Sequence, residues 1–111
     1  MPINKALAEY LDLYHKGEAN AVTSRELECA FGIKGKELRD AVNALRREGV
    51  PIASNGSGYF YAATEQEVRA TIAHLTHRIG GIAAAIRGLT RSLDVFDTAQ
   101  TRLPLEGGDG S

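Results

Sequence analysis

Apolar residues recur along this chain at two spacings, that of helices and that of strands, and each predicts its elements. Ile3, Leu7, Tyr10, Leu11 and Tyr14 fall three and four apart, so the pattern predicts a helix from Pro2 to Lys16. Pro2 suits the first turn of that helix and Gly17 a left-handed stop. Ala21-Val22 is a candidate short strand. Thr23-Ser24-Arg25-Glu26 then forms a capping box: the Thr23 hydroxyl accepts an orphan backbone N–H while the Glu26 carboxylate accepts that of Thr23. Leu27, Ala30 and Phe31 give the second helix its inner face, Gly32 ends it, and Ile33 plugs the gap to the next helix. Leu38, Val42 and Leu45, at i, i+4 and i+7, predict a third helix from Lys34 or Gly35 to Glu48, stopped by Gly49.

The spacing next shortens to that of strands. Pro51 to Ser54 and Tyr59 to Ala62 are strand candidates, joined by Asn55-Gly56-Ser57-Gly58, whose glycines supply the positive φ of a hairpin turn. Tyr59 and Tyr61 share one face and Phe60 takes the other. Thr64-Glu65-Gln66-Glu67 is a second capping box and opens a long helix. Here the apolar residues alternate by three and four through Val68, Ile72, Leu75, Ile79, Ile82, Ile86, Leu89, Leu93 and Phe96. In heptad terms Ile72, Ile79, Ile86 and Leu93 occupy a, and Leu75, Ile82, Leu89 and Phe96 occupy d. After residue 97 the periodicity is lost, which predicts a flexible tail. The expected organisation is a folded domain over residues 1–63, an amphipathic coiled-coil helix over 64–97 and a tail over 98–111.

Composition narrows the function by exclusion. A hydrophobic fraction of 43% in 111 residues suits one folded domain with a small core. The single Cys29 excludes an internal disulfide or cysteine-based zinc cluster; it reads as a small packing residue and suits a reducing compartment. No apolar run approaches the ~20 residues of a membrane span. The start of the chain lacks a basic-then-apolar signal pattern, so a cytoplasmic protein is expected. There is no phosphate loop, nucleophile elbow or carboxylate dyad in a pocket, so the chain does not read as an enzyme and no cofactor is expected. His74 and His77 are three apart but fall at heptad positions c and f with no third ligand in sight, so no metal is expected. The formal net charge is -1, from 13 Lys and Arg against 14 Asp and Glu, so any affinity for nucleic acid rests on local placement of the cations.

The segment from Arg25 to Tyr61 resembles the winged helix-turn-helix domains of bacterial and phage regulators, including the biotin-repressor-like group. The residues that carry the resemblance are Glu26-Leu27, the Phe31-Gly32-Ile33 turn, Leu38, Val42, Ala44-Leu45-Arg46, Gly49-Val50-Pro51-Ile52 and the returning Gly58-Tyr59-Phe60. The implied fold is mainly α: three helices and a short β-hairpin, followed by a long oligomerisation helix. The implied partner is double-stranded DNA, with the helix over 34–48 in the major groove. Lys34 and Lys36 would then reach phosphates or guanine edges, Arg39 guanine and Asn43 adenine, with Arg46 and Arg47 on backbone phosphates. The chain departs from the family's pattern in three places. Glu37 and Asp40 put negative charge on the reading face, Glu28 stands where a small residue is usual, and the wing tip from Asn55 to Gly58 carries no Lys or Arg. A single copy is therefore expected to bind DNA weakly.

The heptads bear on that weakness. An exposed stripe of Ile72, Leu75, Ile79, Ile82, Ile86, Leu89 and Leu93 predicts self-association, as a dimer or, given the small Ala83, Ala85, Thr90 and Ser92 at e and g, a tetramer. Two reading helices on one scaffold gain effective concentration on a repeated site. The expected function is thus an oligomeric DNA-binding protein, a transcriptional regulator or phage accessory factor. The alternative is a winged-helix module that binds a protein, such as a replication component or a host complex it inhibits. In the tail, Gln100-Thr101-Arg102-Leu103-Pro104-Leu105 resembles the short peptides that dock bacterial replication proteins on the sliding clamp, with Gln100, Leu103 and Leu105 as the candidate contacts.

Overall fold

The computed structural model describes the backbone of residues 3–102 and the side chains of residues 3–96. The protein is mainly helical. Helix α1 (Asn4–Tyr14) leads through a 3-10 turn (Glu18–Asn20) to α2 (Ser24–Phe31) and α3 (Gly35–Arg47). Strands β1 (Ile52–Asn55) and β2 (Gly58–Tyr61) pair antiparallel, and helix α4 (Glu65–Arg102) follows. The chain divides into two compact units, Met1–His74 and Leu75–Ser111.

The first unit builds a core from the predicted inner faces. Leu7 and Leu11 of α1, Leu27 of α2, and Leu38, Ala41, Val42 and Leu45 of α3 are buried together with Val22 and Ile52. Ile3, Tyr10, Phe31 and Ile33 pack around them, Tyr10 meeting Phe31 edge-on with ring centroids 5.3 Å apart. Three inward expectations change. Ala30 and Cys29 of α2 are exposed, because the eight-residue helix turns only the arc around Leu27 to the core. Tyr14 is also exposed, stacked on Tyr10 at 5.2 Å instead of entering the core.

The capping box of α2 forms as expected: the Thr23 hydroxyl accepts the Glu26 N–H at 3.1 Å and the Glu26 carboxylate accepts the Thr23 N–H at 3.0 Å. Gly32 closes the helix in the left-handed region at φ 61, which suits glycine because no Cβ crowds the carbonyl there. Helix α1 ends differently. Its cap is His15, and Gly17, at φ 87 and ψ 153, instead starts the 3-10 turn.

Strand β2 is more deeply built in than a bare hairpin requires. Its β1 edge pairs from Ile52 opposite Tyr61 to Asn55 opposite Gly58. On its other edge Val22 and Tyr59 exchange two backbone hydrogen bonds of 2.8 Å. Next to them, Gly17 N–H donates to Tyr61 O and Tyr61 N–H to His15 O, each at 2.8 Å. The Val22 backbone crosses so close that a Cβ on Gly58 would lie 2.2 Å from the Val22 carbonyl oxygen, and Gly58 has φ +134. Glycine is required there on both counts. At the turn itself Ser57 N–H is held by the Asn55 side-chain oxygen at 2.8 Å. Of the two turn glycines Gly58, not Gly56, takes the positive φ.

The faces of β2 separate cleanly. Tyr59 and Tyr61 rest on the main core, while Phe60 is buried with Ala53 and Ala62 against Val68, in the first turn of α4. The start of α4 is tied down by polar contacts too. The Glu67 carboxylate accepts N–H groups from Glu18 at 2.9 Å, Ala63 at 2.7 Å and Thr64 at 3.3 Å. Thr71, the one buried polar side chain among the described residues, accepts the Ser54 N–H at 3.3 Å and donates to the Glu67 carbonyl at 3.1 Å.

The second unit, over its described residues, is the remainder of α4. Helical structure runs unbroken through Gly80 and Gly81 and continues to Arg102. Residues 98–102, expected in the tail, are therefore helical in backbone, since no Gly or Pro interrupts 89–102. Of the predicted stripe Leu75 is half-buried, while Ile72, Ile79, Ile82, Ile86, Leu89, Leu93 and Phe96 stand in solvent: Ile79 is 65% exposed and Leu89 69%. No described helix is long and apolar enough to cross a membrane.

Candidate nucleic-acid interface

Helix α3 has two faces of opposite character, set by its period. Leu38, Ala41, Val42 and Leu45 are buried, and Lys36, Arg39, Asp40, Asn43 and Arg47 stand exposed on the other side. Residues 36, 40, 43 and 47 follow one another at helical spacing, so they form a strip along the axis. Lys34 precedes it in extended conformation at φ -91 and ψ 162, exposed at the helix start. Five of the six residues expected to read DNA, Lys34, Lys36, Arg39, Asn43 and Arg47, are thus brought to one accessible surface.

The sixth is not on it. Arg46 is half-buried: its Nε donates to the Ile52 carbonyl at 2.7 Å and its Nη2 to Ser54 Oγ at 3.1 Å. It anchors α3 to strand β1, and a phosphate role is not assigned to it. Its place in the helical period gave no warning, since Arg39 stands at the same offset from buried Leu38 and is exposed.

The acidic residues of the face are partly neutralised within the helix. Asp40 accepts from Lys36 Nζ at 3.0 Å, an exposed i, i+4 ion pair. Such a pair contributes only a few tenths of a kcal/mol, so polyanion can displace it. The Glu37 carboxylate turns back to the Lys34 N–H at 3.4 Å, where the positive end of the helix dipole favours it. Glu28 reaches the same corner from α2. A Cβ added to Gly35 would lie 3.4 Å from Glu28 Oε2 and 3.3 Å from Arg39 Nη1. The small residue at 35 leaves room for both side chains at the turn.

Two shallow grooves flank this surface. One runs between the start of α1 and α3 and is lined by Ile3, Asn4, Glu37, Asp40, Ala44 and Arg47. The other lies along α2, lined by Ser24, Arg25, Glu28, Cys29 and Ile33. Among the described residues no three His, Cys, Asp or Glu side chains gather as metal ligands. Two carboxylates are held below the ordinary value of 4.5: Glu67 by the Glu18 and Ala63 N–H groups, and Glu26 by the backbone N–H and hydroxyl of Thr23. Both belong to helix starts and stabilise the fold. The hairpin tip is uncharged, and Lys16 lies over the Tyr61 ring at 5.6 Å, so Tyr59 and Tyr61 are engaged in packing. The clamp-peptide candidates Leu103 and Leu105, and the side chain of Gln100, lie outside the described residues.

No protein-family model matches the chain, and no curated protein or solved structure is significantly similar to it.

Proposed function

We propose that this protein is an oligomeric winged helix-turn-helix DNA-binding protein, a bacterial or phage transcriptional regulator or accessory factor working in the cytoplasm, with α3 in the major groove. The observation that carries the reading is the exposed face of α3, the helix that follows the α2 turn, which bears Lys36, Arg39, Asn43 and Arg47 around Asp40, with Lys34 at its start. The two-strand hairpin, whose second strand also pairs with the Val22 segment, supports the reading of residues 52–61 as a wing. Arg39 is suited to guanine O6 and N7 and Asn43 to adenine N6 and N7, with Lys34, Lys36 and Arg47 on phosphates. Each base contact of this kind discriminates by about 1–3 kcal/mol. The uncharged wing tip and the nearby Glu37 and Asp40 keep the affinity of one copy low. Self-association through α4 makes up for it by holding two reading helices together.

The second reading, a winged-helix module for a protein partner, is favoured by the Lys36–Asp40 pair, a mixed-charge surface that suits protein better than phosphate. Binding to mixed-sequence duplex DNA at low and moderate salt separates the two. The DNA reading expects affinity that falls steeply with salt and is lost in the double variant Lys36→Ala with Arg39→Ala. Absence of binding at low salt, with activity of that variant intact, selects the protein partner.

A further inference from the structure

We propose that the occupant of the α4 stripe is a second copy of this chain, lying parallel and in register as a two-stranded coiled coil over residues 72–96. The inference deepens the self-association proposed above and rests on it.

The period of the stripe identifies the kind of partner. Apolar residues alternate three and four apart through four heptads, a repeat of 3.5. An apolar stripe on a straight helix drifts by ~20° per heptad against that repeat, so only a partner that supercoils with it stays in contact along the whole length. A groove on a globular protein does not ask for this repeat. Burial agrees: Ile79, Ile82, Ile86, Leu89, Leu93 and Phe96 are each between 54% and 69% exposed, so none of them is covered by the described residues.

The residues at each layer select the geometry. Position a is Ile at 72, 79 and 86 and Leu at 93, and position d is Leu at 75 and 89, Ile at 82 and Phe at 96, so three of the four a layers are β-branched and two of the four d layers are Leu. β-Branched side chains at a with Leu at d pack best in parallel pairs of two strands, where the a layer holds the Cα–Cβ bonds side by side and the d layer points them at each other. The flanks permit it. In a parallel pair g faces the e of the next heptad, which sets Arg78 against Ala83 of the second copy and Ala85 against Thr90. No like charges meet, and small side chains let the backbones close. The stretch from Arg69 to Arg91 holds four Arg and no Asp or Glu. Arg87 at b and Arg91 at f lie away from the seam, so their charge does not oppose pairing.

The consequence for DNA is specific. Helix 72–96 is ~37 Å long, so an antiparallel pair would attach its two copies of residues 1–64 at opposite ends. A parallel pair attaches both at the same end, related by a two-fold axis along the coil, and therefore reads an inverted repeat.

Disulfide trapping tests this on the full chain. Exposed Cys29 is first replaced by Ser, and single cysteines are placed as Leu75→Cys or Leu89→Cys. Sedimentation equilibrium of the reduced Cys29→Ser protein is expected to give twice the 11.9 kDa chain mass. Each single-cysteine variant, oxidised alone, is expected to form a covalent dimer. Dimer mass without either product, and with coupling only between mixed Leu75→Cys and Leu93→Cys chains, means antiparallel pairing and overturns the parallel geometry alone. Four times the chain mass overturns the two-stranded form. The mass of one chain at micromolar concentration overturns both this inference and the self-association beneath it.

Discussion

Up to Thr71 most of the apolar pattern of this chain ends in burial, Leu13 and Tyr14 excepted, and from Ile72 onward the same kind of residue, half-buried Leu75 apart, stands in water. Leu7, Leu11, Leu27 and Leu38 are wholly inaccessible, whereas Ile79, Ile86 and Leu89 are more than half exposed although they sit in a regular helix. The difference lies in what each helix can reach. α1, α2 and α3 are short and lie close together along the chain, so their inner faces meet in one core that Ile52 of the hairpin joins. The heptad stretch of α4 follows no such turn, and a single helix cannot bury its own stripe. A three-to-four repeat thus specifies the helix in both regions but specifies the fold only in the first.

Core truncation should separate the two regions most widely. Leu38→Ala or Leu11→Ala is expected to destabilise the N-terminal unit by about 2–5 kcal/mol in urea unfolding, and Leu89→Ala to leave that unit's transition where it was. Equal losses from both would mean that the regions fold as one. Next in size comes Gly58→Ala. The positive φ and the approach to the Val22 carbonyl together predict a loss on the order of 3 kcal/mol in the same measurement. A neutral result would show that the Val22 pairing is dispensable.

Ile79→Asp with Ile86→Asp turns the comparison round. The unfolding free energy of the N-terminal unit in urea at low protein concentration should change by no more than ~0.5 kcal/mol, as for surface changes, while the sedimenting mass falls to that of one chain. Thr71→Val removes the hydroxyl that holds Ser54, and is expected to cost about 1 kcal/mol by thermal unfolding. The smallest effect is at acid pH. Three N–H groups favour the Glu67 carboxylate, so its folded-state pKa is below the ordinary 4.5. Its stabilisation is complete above 4.5 and is lost as pH falls from there through the lowered value. Glu67→Gln should flatten that part of the stability–pH curve and leave the neutral region's shape unchanged; an unaltered acid limb would mean that Glu67 does not contribute.

Much of this architecture can be read from local signals. Both capping boxes, at Thr23 and at Thr64, form, and Gly32 and the Asn55–Gly58 turn sit where the residues place them, because caps and turns depend on chemistry within four residues. What the sequence hid depends on partners far along the chain. Arg46 looks like one more outward cation until Ile52 and Ser54 are beside it. Glu67 reads as a helix cap, yet it also holds Glu18, 49 residues away. Val22 is an ordinary apolar residue until its backbone meets Tyr59, and only then does Gly58 become obligatory. The face of α3 was legible because helical period alone assigns it. Its electrostatics read in sequence only as the negative charges of Glu37 and Asp40, although the i, i+4 spacing of Lys36 and Asp40 is what pairs them.

The claim that joins the two regions is that α3 reads DNA and α4 makes the reading strong enough to matter. The most direct measurement is duplex DNA binding by the intact chain across a salt series, beside Lys36→Ala with Arg39→Ala and beside Ile79→Asp with Ile86→Asp. The intact protein should bind at low salt, lose affinity steadily as salt rises, and lose binding through either pair of substitutions. No detectable binding at low salt, or binding that both double variants retain, would contradict the account.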